Sequence, residues 1–149
     1  MGLLYTAAFE NVSMTDAAQD IIFLATSSSV PIKVHYARIT ASVTTDVRAR
    51  IQIVRRTTAG SSGTGITPAE LIGRNTVSAA TTCTYLRTTP GTVGDVIMAE
   101  EWSLLVPFEY LPTPEHRPEV AASSYLGIHL VAGTGATRSV SGYVVFEEF

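Results

Sequence analysis

The chain has 149 residues, of which 46% are apolar and only 15% charged, and it carries a net charge of −3. That length suits one domain able to bury roughly 70% of its unfolded surface without metal or disulfide, and the single cysteine, Cys83, rules out an intrachain disulfide. The acidic balance argues against nucleic-acid binding through a basic face. No apolar run reaches the ~20 residues that span a bilayer, so no membrane association is expected.

Ordinary domains carry about 25% charge, so the shortfall here predicts surface covered by other subunits. The alternative is a well-packed monomer coated with Ser and Thr. Lys33 is the only lysine beside a set of arginines, and the planar, weakly hydrated guanidinium suits contact surfaces. No basic segment followed by an apolar stretch opens the chain, so no secretion signal is expected. The N-terminal myristoylation-like pattern (Met1–Thr6) and the sequon Asn11-Val12-Ser13 are expected to go unused, because both fall in strand-patterned sequence.

Strands are predicted near residues 3–13, 20–28, 32–44, 47–58, 80–88, 95–105, 124–132 and 138–148. Thr15–Gln19 between the first two is read as one helical turn capped by Thr15 or Asp16. Ile21, Ile22, Phe23 and Leu24 form a continuous apolar run suited to a strand covered on both faces. Ile32, Val34 and Tyr36 alternate with Lys33 and His35. Val47, Ala49, Ile51 and Ile53 alternate with Arg48, Arg50 and Gln52, placing the arginines outward. Residues 59–79 form a long connection, Gly/Ser/Thr-rich in its first half and mobile in isolation, with a short helix predicted at Pro68–Ile72. A second long connection, 111–123, is stiffened by Pro112, Pro114 and Pro118. Leu126, Ile128 and Leu130 alternate with Gly127 and His129. About eight strands with long crossing connections predict an all-β fold: a single-domain, jelly-roll-like β-sandwich spanning 1–149.

The residue types that carry chemistry are scattered. His35, His116 and His129 make no metal-ligand spacing with one another. Glu100-Glu101 and Glu147-Glu148 are adjacent in strands, so their carboxylates point to opposite faces and do not share a substrate. Cys83 sits in a β-branched run with no cation to activate it, so a small, buried, inert role is expected. Neither a G-x-S-x-G elbow nor a Walker-type loop is present. The expectation is a protein without catalytic residues, metal or cofactor; a cupin-like enzyme is the weakest reading.

The segment Glu100–Pro118, EEWSLLVPFEYLPTPEHRP, and the ending Ser141–Glu148, SGYVVFEE, resemble small proteins encoded by tailed bacteriophages near their capsid genes. The matching residues are Trp102, Phe108, Glu109, Tyr110, Leu111, Pro112, Pro114, Glu115, Arg117 and Pro118, then Tyr143, Phe146, Glu147 and Glu148. The resemblance covers roughly the C-terminal half. It implies a head decoration, or cement, protein of jelly-roll type: a structural virion protein on the outer capsid surface, synthesised in the host cytoplasm. Its implied partners are the major capsid protein, whose neighbouring subunits it would clamp, and further copies of itself in a trimer or dimer. No catalytic residue carries over.

The expected partner contacts are Phe108, Tyr110, His116 and Arg117 on the proline-rich segment, with Ile66, Leu71 and Arg74 on the 59–79 connection. Tyr and Arg are favoured at hot spots, and a stiff segment docks with little entropic loss. The competing reading has Phe108 and Tyr110 packing inward and Arg117 pairing with Glu115 or Glu119. The rival function is a phage fibre-head or adhesion module binding a host glycan or receptor, for which Tyr5, Tyr85 and Tyr125 are the candidate aromatics.

Overall fold

Period-two alternation sorts most of this chain into strands with one buried face. The computed structural model describes residues 2–73 and 77–149. In chain order the strands are β1 (Leu3–Met14), β2 (Gln19–Ala25), β3 (Ile32–Ser42), β4 (Arg48–Arg56), β5 (Gly60–Ser61), β6 (Thr64–Ile66), β7 (Ala69–Glu70), β8 (Thr82–Arg87) and β9 (Thr89–Pro90). After them come β10 (Val93–Ser103), β11 (Phe108–Tyr110), a single 3-10 turn (Pro114–His116), β12 (Glu119–Val120), β13 (Tyr125–Leu130) and β14 (Arg138–Glu148).

The first sheet runs β11-β3-β14-β1-β7, with β12 also on β3, and the second runs β10-β4-β13-β2-β8-β6. Four antiparallel pairs make the frame: β1 with β14, β2 with β13, β3 with β11 and β4 with β10. Chain neighbours β1 and β2, β3 and β4, β10 and β11, and β13 and β14 fall in opposite sheets. That wrapping of paired strands is jelly-roll topology, and the chain forms a β-sandwich as the strand pattern predicts. Tyr5, Val144 and Phe146 from the first sheet meet Ile22, Leu24, Ile51, Ile53 and Ile128 from the second in one core. Along β4, Ala49, Ile51 and Ile53 are buried while Arg48 and Arg50 are exposed. Gly142 on β14 lies opposite Phe9 and Ile39. A Cβ there would come within 2.8 Å of the Arg38 carbonyl oxygen and 3.2 Å of the Phe9 ring, so only glycine fits.

Two local expectations are corrected. Thr15–Gln19 is not helical. The Gln19 side-chain amide donates to the carbonyls of Thr15 and Ala17 at 2.8 and 2.9 Å, satisfying the turn without a helix. Pro68–Ile72 is also not a helix: Ala69 and Glu70 form β7 against Thr6 and Tyr5, and the Leu71 N–H donates to the Leu4 carbonyl. The free edge of β1 offers ladder bonds that override a weak local helix preference. The strand predicted at 80–88 is present as β8, which extends the second sheet beyond β2. The eighth frame strand is β11, only three residues long, in the gap between the strand predicted at 95–105 and the connection predicted at 111–123.

Candidate functional site

The proline-rich segment begins in the core. Phe108 is 1% exposed and packs edge-on against Trp102, with ring centroids 6.4 Å apart. It therefore presents no surface to a partner, which corrects its assignment as a contact residue. The preceding turn is closed by the Trp102 indole N–H donating to the Val106 carbonyl at 2.8 Å. Tyr110 is half-buried against the core, and burial pushes its phenol pKa up. His116 is exposed, with Nδ1 3.1 Å from the Thr113 hydroxyl. Arg117 is half-buried; Glu119 pairs with Lys33 at 2.9 Å instead of with Arg117. On the other connection, Ile66 packs partly against the core and Leu71 is exposed. Arg74 lies outside the described residues.

Large apolar side chains stand in solvent at both margins of the first sheet. Leu105, Val106 and Leu111 flank β11 at one edge, and Leu111 is 67% exposed. Leu71, Ile72 and Val77 follow β7 at the other edge and are each about half exposed. Leu104, between Ser103 and Leu105, is buried and donates its N–H to the Val47 carbonyl, which fixes the turn that presents Leu105 and Val106.

The aromatics named for glycan binding do not share a surface. Tyr5 is fully buried, stacks on Phe146 and donates its hydroxyl to the Val77 carbonyl at 3.2 Å. Tyr85 stacks on Phe9 at the inter-sheet margin, and Tyr125 stacks on Phe23 on the second sheet. Cys83 is buried, and desolvation together with the Glu148 charge pushes its thiol up to about 12. Among the described residues, no three His, Cys, Asp or Glu side chains lie together as a metal site.

Two charged arrangements escaped the sequence. Asp20 on β2 is fully buried and accepts from Arg56 Nε at 2.8 Å and from Arg56 Nη2. His129 Nδ1 lies 3.0 Å from the same carboxylate, and Arg56 Nη1 donates to the Gly91 carbonyl at 2.7 Å. Gly127 makes room for the cluster, since a Cβ there would sit 2.8 Å from Asp20 Oδ2. With Arg87 stacked 4.2 Å over Phe23, this network roofs β2, so the Ile21–Leu24 run is indeed covered on both faces. At the far end of the chain Glu147 and Glu148 diverge, as strand alternation requires. Glu147 accepts from Gly2 N–H at 3.0 Å and lies 2.9 Å from His35 Nε2; the His35 hydrogen bond leads in holding its carboxyl below the usual value. Glu148 turns inward and accepts from the Ala80 and Thr81 N–H groups.

The second arrangement crosses the outer face of the first sheet. Cross-strand pairing aligns Glu109, Arg38, Tyr143 and Ala8 in one row over β11, β3, β14 and β1. Beside it lies a groove of about 570 Å³ lined by Ala8, Glu10, Arg38, Thr40, Ser141 and Tyr143. The Tyr36 hydroxyl donates to Glu109 Oε2 at 2.8 Å, and Arg38 Nη1 donates to the same oxygen at 3.3 Å. Burial, and then the bond to Glu109, push the Tyr36 phenol up to about 12. At the other end, Asn11 adopts a φ of 51° in a bulge of β1 and donates its N–H to the Ser141 hydroxyl at 2.9 Å.

No protein-family model matches this chain, and no curated protein matches it. Among solved structures, it has a distant likeness to the VP2 subviral particle of infectious bursal disease virus, at 14% identity and a TM-score of 0.15. That alignment takes in all of this chain and 40% of the viral one, so the chain spans less than half the length of the structure it matches.

Proposed function

We propose that this chain is a structural virion protein, an auxiliary decoration or cement protein that binds the outer capsid surface and clamps neighbouring major capsid subunits. The observation that carries this reading is the apolar side chains held in solvent at both margins of the first sheet, Leu105, Val106 and Leu111 on one side and Leu71, Ile72 and Val77 on the other. Such side chains are costly to leave hydrated and favour association. A clamp has to touch two neighbours at once, and a rigid sandwich with contact groups on two margins suits that task. The low charge content and the resemblance over Glu100–Pro118 support the same conclusion. Fewer charges mean less desolvation penalty when a surface is covered.

The test is the copy number of the chain in purified particles, followed by electron microscopy of the head. A decoration protein is present in proportion to the capsid subunits and appears as density on the shell. A handful of copies located at a tail or fibre would refute the reading.

A further inference from the structure

The outer face of the first sheet holds chemistry that a capsid clamp does not need. The groove there has a floor of short side chains, Ala8, Thr40 and Ser141, between the Tyr143 ring and Arg38 on one side and Glu10 on the other. Its volume of about 570 Å³ falls in the range of small-ligand sites, roughly 300–1,000 Å³. Arg38 and the Ser141 hydroxyl are held in place before any ligand arrives, while Glu10 is exposed. Glu109 receives both Arg38 and Tyr36, and the Asn11 N–H fixes the Ser141 hydroxyl. The Tyr36 ring leans on Tyr143, with centroids 5.5 Å apart and a 40° tilt. Tyr36, Arg38, Thr40, Glu109, Ser141 and Tyr143 sit on paired strands, which fixes their backbone, whereas Glu10 lies in the Asn11 bulge.

The class of ligand follows from what the groove can and cannot satisfy. An anion meets little net attraction, because Glu109 already engages Arg38 and Glu10 adds a second negative charge. A wholly apolar ligand would strip water from Arg38, Glu10, Thr40 and Ser141 and return no hydrogen bonds. A neutral polyhydroxylated ring satisfies every group. Its C–H face stacks on the Tyr143 ring. Each of its hydroxyls both donates and accepts, so it can serve the donor-only guanidinium, the acceptor-only carboxylate and the two protein hydroxyls together. We propose that this groove binds a neutral saccharide, with Tyr143 as the stacking platform, Arg38 and Glu10 as the hydrogen-bonding groups, and Glu109 and Tyr36 as positioning residues. The site is independent of the capsid reading: particle copy number tests that reading, and saccharide binding tests this one.

The experiment titrates the full-length chain with neutral oligosaccharides of glucose, galactose, mannose and N-acetylglucosamine, with sialylated and sulfated counterparts beside them. Binding is followed by saturation-transfer and methyl NMR. At least one neutral saccharide is expected to bind and to shift the methyl resonances of Ala8 and Thr40. Ala8→Trp, which fills the groove from an exposed position, should abolish detectable binding, and Tyr143→Ala, which removes the platform, should weaken it by about three- to tenfold, the scale of one lost stacking contact. Either variant with wild-type melting decides the matter. The proposal is overturned if no neutral saccharide binds, if only the anionic ones do, if the two methyl groups stay unmoved, or if a folded variant binds as wild type.

Discussion

Asp20 shows how much one residue can ask of its surroundings. Its carboxylate is fully buried, and so is the Arg56 side chain that forks onto it. Removing water from both ions costs several kcal/mol each, and their mutual attraction offsets this only while both are present. Asp20→Ala is therefore expected to destabilise the chain by about 3–5 kcal/mol, because it strands a buried guanidinium. The double variant Asp20→Ala/Arg56→Leu should recover a large part of that loss. Urea unfolding of the single and double variants checks the pair; a double variant no more stable than Asp20→Ala would refute the stranded-charge account. In the sequence Asp20 simply precedes the apolar run Ile21–Leu24, with nothing nearby to mark its partners. Arg56 lies 36 residues away and His129 109 residues away, and no local spacing rule links them. The groove was illegible for the same reason, since Glu109, Arg38, Tyr143 and Ala8 become neighbours only when four strands align. Tyr5, Tyr85 and Tyr125 carried the glycan expectation because residue type alone does not tell a platform from a core aromatic.

At the scale of elements, strands such as β3 and β4 were readable because each alternates a wet and a dry face, whereas β2 was readable as a continuous apolar run. Val47–Ile53 and Leu126–Leu130 announce themselves by alternation, and the structure places them as β4 and β13. The two- and three-residue strands were not readable, because a period of two cannot be seen in so few residues. β11 is the case that matters, lying between Pro107 and Pro112. It pairs with Ala37–Ile39 and places Phe108 over Trp102, which fastens the edge of the first sheet to the core. Phe108→Ala is expected to cost about 3–5 kcal/mol, the usual range for emptying a buried aromatic site. Leu111→Ser, three residues on and exposed, should change stability by less than about 0.5 kcal/mol. Denaturant unfolding followed by the emission of Trp102, the single tryptophan, measures both. Equal effects would mean that the segment is not divided between core and surface as described.

For the whole molecule, the placement of the exposed apolar groups beside the first sheet constrains how copies would meet through that sheet. The two sets lie at opposite margins of one sheet and differ in composition: Leu105, Val106 and Leu111 beside β11, and Leu71, Ile72 and Val77 beside β7. A two-fold dimer formed edge to edge through one margin buries that patch against itself and leaves the other exposed. Head-to-tail contact, the β11 margin of one copy on the β7 margin of the next, buries both, and it closes into a ring when the rotation allows. Edge-to-edge self-association of the free chain, with no capsid subunit to cover the margins, is therefore expected to be heterologous, with a closed trimer as the smallest ring. Val106→Glu and Ile72→Glu each place a charge in one margin, at positions exposed enough to leave melting unchanged. Each variant alone should sediment as a single chain of 15.9 kDa. Mixed together, they should recover a two-chain species, because the intact β7 margin of Val106→Glu can still receive the intact β11 margin of Ile72→Glu. The ring cannot close in that mixture, since every further contact would need a damaged margin. Sedimentation velocity reads all three samples. A mixture that stays monomeric while the wild type associates would exclude the head-to-tail arrangement. A wild-type chain that stays monomeric at high concentration would leave the two margins to the capsid subunits alone.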